Sequence, residues 1–313
     1  MYEISLTANQ SNQRLDKFLR KYLKNAPDSF IYRMLRKKNI TLNGYKAIGN
    51  EKTVAGDTVQ FFLSEETYMA MRGETEPLPD GAPDFPDLPI LYEDGDLMVF
   101  VKPQGLLSQK ADKDDYSVNE WVCYHAVEQG LISASEFESF HPSVCNRLDR
   151  NTAGIMTAGL SMRGLQILSE LFHDHLVEKY YYALVRGNFR EPVDFRCYLK
   201  KDSYINKVSV LTEQVPGAKE VHTAFEPVRI MEDRTLLRVR LFTGRTHQIR
   251  SVLGYLRHPI LGDTKYGDNR FNLKYNTYSQ CLIACMLKFP SCELPGVSGR
   301  TFEIGIPTDW PVK

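Results

Sequence analysis

The run Asn146-Arg147-Leu148-Asp149-Arg150-Asn151-Thr152-Ala153-Gly154 constrains this chain more than any other stretch. It sets one carboxylate, Asp149, between two arginines and follows it with a threonine and a glycine. Neither period-2 alternation nor helical spacing fits these residues, so a sharp turn between elements is expected. Nearby guanidinium groups favour the charged form of a carboxylate. A solvated surface turn would use the same residues, and nothing inside the run separates the two readings.

Two further segments do. Thr243-Gly244-Arg245-Thr246-His247-Gln248-Ile249-Arg250 follows Leu237, Val239 and Leu241, whose alternation marks a half-buried strand. Lys179-Tyr180-Tyr181-Tyr182-Ala183-Leu184-Val185-Arg186-Gly187 is strand-like in its aromatic and β-branched content. Together the three segments resemble the RluA-type pseudouridine synthases. Those enzymes carry H-R-L-D-x-x-T-S-G, K-x-Y-x-A and G-R-T-H-Q-I-R in this order. The matches here are Arg147, Leu148, Asp149, Thr152 and Gly154, then Lys179, Tyr181 and Ala183, then Gly244 through Arg250. One motif alone would be weak, whereas three in order are specific. Asn146 stands where the family has His, Ala153 where it has Ser, and Ser251-Val252-Leu253 where V-H-L is common. Gly154–Gly159, read as the start of a helix, also strays from the usual aliphatic run. These departures bear on the RNA target rather than on the reaction.

Length and charge set the frame. A chain of 313 residues accommodates one large and one small domain. Its 39 Lys and Arg balance 39 Asp and Glu, which argues against a nucleic-acid partner only if the charges are evenly spread. They are not. In Arg14–Leu63, Leu15, Phe18, Leu19, Tyr22 and Leu23 recur at helical spacing among basic residues. A second helix starts at Phe30, Ile31, Met34 and Leu35 and ends in Arg36-Lys37-Lys38. Ile40–Leu42 leads into an Asn43-Gly44 hairpin turn, and Ala55-Gly56-Asp57 precedes a strand from Val59 to Leu63. This unit resembles an S4-type RNA-binding domain, in which Arg33, Arg36, Lys37 and Lys38 would meet phosphates. Ser64–Leu88 collects acids and Pro77, Pro79, Pro83 and Pro86, and reads as an extended or flexible linker.

The expected architecture is α+β. It has a small S4-type α/β domain over 1–63, an acidic, proline-rich linker over 64–88, and a large catalytic domain over 89–313. The resemblance implies that the large domain is built on a mixed, mainly antiparallel β-sheet flanked by helices. Ile90–Val101 should form a hairpin about Asp94-Gly95, followed by Lys102-Pro103-Gln104-Gly105, similar to a K-P-x-G element of the family. Trp121–Val127 should be helical, and Ser161 should cap a helix carrying Leu165, Leu168, Leu171 and Phe172. Phe189–Ala218 reads as an insertion or accessory sheet. Thr246–Leu256 is expected as a helix, Leu282–Phe289 resembles the family's last helix, and Thr301–Ile306 a closing strand.

The resemblance implies isomerisation of uridine in RNA, most of all large-subunit ribosomal RNA, with transfer RNA as the other substrate. The nucleotide must leave any stack to be reached. Asp149 would be the essential carboxylate, held by Arg245, and Tyr181 would lie against the uracil and assist proton removal at C5. Arg147 and Arg150 would hold the turn or touch phosphate. Lys179, His247 and Arg250 would contact RNA, with His247 ordering its loop. No cofactor and no metal is expected: Cys281, Cys285 and Cys292 have the wrong spacing for zinc, and His173-Asp174-His175 on a helix would point to different faces. All six cysteines, Cys123, Cys145 and Cys197 included, read as buried reduced thiols. The N-terminus lacks the pattern of a secretory signal and no apolar run is long enough to span a membrane. A cytoplasmic monomer is therefore expected. Two competing readings are a non-catalytic RNA-binding or ribosome-assembly factor on the same fold, and an RNA N-glycosidase.

Overall fold

The computed structural model describes residues 1–74, 85–112, 115–202, 204–205 and 207–312. The N-terminal part runs β1 (Tyr2–Ser5), α1 (Leu15–Tyr22), α2 (Asp28–Arg36), β2 (Ile40–Leu42), β3 (Tyr45–Lys46), β4 (Thr58–Phe61) and α3 (Glu65–Arg72). Helical spacing puts Leu15, Phe18, Leu19 and Tyr22 on one buried face of α1. Phe30, Ile31, Met34 and Leu35 form the matching face of α2. Both pack on an antiparallel sheet ordered β1-β4-β2-β3. Asn43 and Gly44, with φ of 52° and 77°, make the expected turn between β2 and β3. Arg33, Arg36, Lys37 and Lys38 are all exposed.

The acidic stretch after β4 is not an extended linker at its start. Ser64 caps α3, its hydroxyl accepting the Thr67 N–H. Glu65 and Glu66 occupy the first turn, where the helix dipole favours acids. Tyr68 is buried, stacked on Tyr2 with ring centroids 3.8 Å apart and with its hydroxyl 2.8 Å from that of Tyr22. The glutamates that suggested a linker are therefore the polar face of a docked helix. The run 75–84, which holds three of the four prolines behind that expectation, lies outside the described residues. Polar contacts tie this unit to the rest of the chain, among them Gln10 to Ser139 at 3.0 Å and Arg72 to Glu138.

The remaining chain builds one large sheet. In order come β5 (Ile90–Glu93), β6 (Leu97–Lys102), α4 (Val118–Glu128), α5 (Ala134–Phe137), β7 (Ser143–Val144), β8 (Ala153–Gly159), α6 (Met162–His173) and β9 (Glu178–Arg186). There follow β10 (Val193–Asp202), β11 (Lys207–Leu211), β12 (Lys219–Ile230), β13 (Arg234–Leu241), α7 (Gln248–Tyr255), α8 (Asn269–Lys274), β14 (Leu282–Lys288) and β15 (Thr301–Glu303). The main path is β11-β10-β12-β13-β9-β14-β8-β6-β5, with β15 on β14 and β7 on β8. The β14–β8 contact is parallel and the other strand pairings described are antiparallel. One face of the sheet packs Phe100, Met156 and Val239 into the main core, with Val252 of α7 in the same cluster. On the other face Leu184, Leu236 and Ile283 lie under Trp310. No helix among the described residues is long and apolar enough to cross a membrane.

Two expected helices are strands. Gly154–Gly159 lies in β8, and Leu282–Phe289 is nearly all β14. Both runs are buried almost throughout, so the alternation that marks a half-exposed strand never appears in them. Gly154 has φ of 128°, and a Cβ there would fall on the Ala284 backbone. Only glycine lets β8 close against β14 directly after the Asp149 turn. Ser161 caps α6 as expected, accepting the Gly164 N–H at 2.9 Å. The accessory segment forms β10 and β11 at the sheet edge, a hairpin registered Asp202 to Lys207. Helix α7 begins at Gln248 rather than Thr246, because His247 is left-handed.

Candidate active site

Asp149 sits in the turn between β7 and β8, and its neighbours' backbone groups are pinned. Ser108 Oγ donates to the Leu148 carbonyl at 2.8 Å and accepts the Leu148 N–H at 3.0 Å. The Arg150 carbonyl accepts from the Gly105 N–H at 2.9 Å and from Lys102 Nζ at 3.0 Å. Asn146 Oδ1 accepts from the N–H and hydroxyl of Thr157 at 2.8 and 3.1 Å. The Asn that departs from the family's His thus staples the turn to β8 without carrying charge.

Lys102 is wholly buried and also donates to the carbonyls of Pro103 and Leu106. Burial pushes its ammonium down to about 8, against the pull of the Asp149 charge. The sequence placed Lys102 in a recognisable element but gave it no task. The available signal was a lysine closing the apolar strand Leu97–Val101, since an unpaired lysine is rarely fully buried.

Asp149 does not pair with Arg245. The guanidinium that reaches it belongs to Arg250, whose Nη1 donates to Oδ2 at 2.7 Å. The cause is the shape of the loop before α7. Gln248 Oε1 accepts from the Thr243 hydroxyl and the Arg245 N–H, both at 3.0 Å, while Gln248 Nε2 donates to Thr223 Oγ1 at 2.9 Å. This clamp leaves the Arg245 side chain on the exposed loop, and the first turn of α7 aims Arg250 inward. Arg250 also grips Asp263, Nε to Oδ2 at 2.7 Å and Nη2 to Oδ1 at 3.1 Å. The Asp263 side chain has no solvent exposure and accepts the N–H groups of Lys265 and Tyr266. Burial works against both charges, but the pairing wins, raising Arg250 and lowering Asp263 from their ordinary values. His247 Nε2 lies 3.9 Å from the same Oδ2 of Asp149. Among the described residues, nothing hydrogen-bonds to Oδ1.

Tyr181 lies on β9 between Val239 of β13 and Ala284 of β14, and lines the same cavity as Asp149. Burial and then the Asp149 charge raise its hydroxyl well above the usual phenol range. It therefore stays a neutral phenol, able to stack and hydrogen-bond but poorly placed to serve as a phenolate base. Lys179, two residues earlier on the same face, is lowered by burial.

The cavity holds about 720 Å³ and is open to solvent on one side. Asp149, Tyr181 and Arg245 share it, as do Arg147, Arg150, Lys179, His247 and Arg250. Lys110 and Lys201, which the sequence did not single out, complete its cationic wall. Among the described residues, Asp149 is the one acid in the lining. Arg33, Arg36, Lys37 and Lys38 stand elsewhere, on the end of α2 and just beyond it. Among the described residues, no group of three or more His, Cys, Asp or Glu side chains is placed to hold a metal ion. His173 instead pairs with Asp174 at 2.8 Å.

Residues 96–254, which carry this turn, β9 and the first turns of α7, match the model of the RNA pseudouridylate synthase family. The chain belongs to that family. This pseudouridine synthase is 32% identical to an uncharacterized RNA pseudouridine synthase of Mycoplasma pneumoniae, across 90% of this chain and 86% of the relative. It is 30% identical to ribosomal large subunit pseudouridine synthase C of Escherichia coli, across 99% of this chain and 94% of the relative. Human RNA pseudouridylate synthase domain containing 4 shares its fold, with a TM-score of 0.56 at 20% identity over 70% of this chain and 89% of that one. As an RNA pseudouridine synthase, the enzyme converts uridine to its C-glycoside isomer. The base is cut from the sugar at N1, turned, and rejoined through C5.

Proposed function

We propose that this synthase modifies large-subunit ribosomal RNA, with Asp149 as the reacting carboxylate in a cleft that takes one extruded nucleotide. The carrying observation is the lining itself: among the described residues, one carboxylate within a wall of Lys and Arg. A polyanion is drawn to such a cleft, while a single fixed anion faces the sugar or ring. The net charge of zero conceals this because acids gather in another part of the sequence, at the start of α3 and in the run that follows it.

Arg250 occupies Oδ2 and leaves Oδ1 for chemistry. Attack of Oδ1 at C1′ displaces uracil as an anion through N1; attack at ring C6 instead tethers the base while the sugar is released. In the first route C5 then attacks C1′ and displaces Asp149; in the second C5 bonds to C1′ and the N1 electron pair expels Asp149 from C6. In both the carboxylate is regenerated, the proton on C5 passes to solvent and N1 takes one up. Stacking on Tyr181 would hold the free uracil, and a base on an aromatic ring gains ~1–3 kcal/mol. Arg147, Arg150, Lys179, Arg245 and His247 contact the nucleotide or its phosphates. The two helices and small sheet at the N-terminus act as an S4-type RNA-binding domain through Arg33, Arg36, Lys37 and Lys38, set over residues 1–63 ahead of a catalytic domain over 89–313. Relatives named for the ribosomal large subunit favour ribosomal over transfer RNA. The enzyme works as a cytoplasmic monomer.

The test is incubation with transcribed ribosomal RNA, then mapping by an adduct specific for pseudouridine. Product with the wild type and none with folded Asp149→Asn supports the proposal. Abasic sites would indicate a glycosidase, binding without product a non-catalytic factor, and product only on transfer RNA a different substrate.

A further inference from the structure

His247 is the second group beside Oδ2 of Asp149, and its ring is held from behind. Its side chain is 9% exposed and its backbone is left-handed, with φ of 53°. Nδ1 lies 3.0 Å from the hydroxyl of Tyr266. That hydroxyl also accepts the backbone N–H of Val208, in β11, at 2.8 Å.

These contacts suit one arrangement of the protons. An amide N–H can only donate, so the Tyr266 oxygen is the acceptor in the Val208 bond. The phenol's own proton has Nδ1 of His247 as its acceptor among the described residues. With the phenol donating, Nδ1 presents its lone pair, and a neutral imidazole carries its one N–H on Nε2. That N–H points toward Asp149. The reverse tautomer would turn the Nε2 lone pair toward a carboxylate and leave the Tyr266 proton without an acceptor among the described residues.

We propose that Tyr266 is a positioning residue for the isomerisation: its hydroxyl sets His247 in the Nε2–H tautomer, so that His247 and Arg250 bracket Oδ2 of Asp149 and leave Oδ1 to react. The inference rests on the reading of Asp149 as the reacting carboxylate. At 3.9 Å the Nε2–Oδ2 contact is too long for a hydrogen bond; it closes when a nucleotide fills the cleft, as hydrogen bonds in empty active sites commonly do. Because the Val208 bond belongs to the accessory hairpin, seating of β10–β11 is coupled to the proton arrangement at the catalytic carboxylate.

The charged groups facing His247 are Asp149, Arg250, Lys265 and Asp263. Burial, first, and the cations Arg250 and Lys265 disfavour the imidazolium; Asp149 and Asp263 oppose them, and the balance lowers His247 from its ordinary value. Protonating Nδ1 would also break the bond from Tyr266. Loss of the hydroxyl should therefore make the imidazolium easier to form.

Tyr266→Phe removes the hydroxyl but keeps the ring that packs 5.4 Å from the Arg250 guanidinium. In nitrogen-15 spectra of histidine-labelled enzyme, with His247 assigned by its loss in His247→Gln, the wild type should show a protonated Nε2 and a bare Nδ1. Tyr266→Phe should show a tautomer mixture. Its kcat should fall roughly tenfold, the loss of about one hydrogen bond, with KM for RNA changed less than about twofold. In a His247→Gln background, where the amide supplies a fixed N–H, Tyr266→Phe should have no further effect on kcat. A wild-type spectrum with the proton on Nδ1 overturns the proposal, as do Tyr266→Phe and His247→Gln losses that simply multiply. The spectrum needs no turnover, so it answers even if a variant folds poorly. If Asp149→Asn keeps activity, the reading of Asp149 falls while the tautomer can still be as described.

Discussion

Arg250 Nη1 lies 2.7 Å from Oδ2 of Asp149 while Nε and Nη2 of the same guanidinium close a two-point contact on Asp263. One planar fork thus ties the cleft carboxylate to a carboxylate that water does not reach. A lysine at 250 could not do this, since an ammonium is a point charge without the fork.

Arg250→Ala strands Asp263 as a buried charge, which costs about 3–5 kcal/mol. Arg245 is on an exposed loop, and Arg245→Ala should stay within roughly 0.5 kcal/mol of wild type. Urea denaturation of the two variants gives the comparison. Arg250→Lys should recover part of the stability but little of kcat, because it cannot orient both carboxylates. Equal midpoints for Arg250→Ala and Arg245→Ala would mean that the fork does not hold the site.

The basic end of α2 gives a prediction about affinity rather than chemistry. Arg36, Lys37 and Lys38 are exposed and lie outside the cleft, so replacing all three with Gln should weaken binding to long RNA. The slope of log K against log salt should drop by ~0.7–0.9 for each phosphate that is no longer neutralised. Turnover on a short RNA that spans only the cleft should be unchanged. Titrations at several salt concentrations decide it: an unaltered slope would rule out these residues as phosphate ligands.

The sequence revealed the site's components better than their pairing. The turn at Asp149 and the strand bearing Tyr181 could be read from local chemistry, and α1 and α2 from the spacing of their apolar residues. That the segments of Asp149, Tyr181 and Arg250 belong to one site came from the resemblance of three ordered motifs. Which arginine meets Asp149 could not. The two side chains are 101 residues apart, and the choice depends on a left-handed residue and a glutamine clamp that send one arginine out and the other in. Strands β8 and β14 were hidden for a different reason. Burial on both faces removes the alternation that distinguishes a strand from a short buried helix. In α3 composition misled, because acids at a helix start resemble acids in a linker until Tyr68 is seen packed under them.

Lys102 supplies the remaining prediction, in which pH acts on stability and activity in opposite directions. Its folded value of about 8 lies below the roughly 10.4 of an unfolded lysine. Between those two values the unfolded chain binds more protons than the native one, so Lys102's contribution to stability rises with pH across that window. Lys102→Met has no such titration. The stability of wild type relative to Lys102→Met should therefore increase from pH 7 to pH 10. Activity should move the other way: three carbonyls share the ammonium, and a neutral amine has only two N–H groups for them. One carbonyl then loses its bond to Lys102 beside the Asp149 turn. Wild-type kcat should fall as pH rises through about 8, and the profile of Lys102→Met should lack that limb at a lower plateau. Urea melts and kcat measured on both proteins across this range make the comparison, and parallel profiles would remove Lys102 from any part in holding the turn.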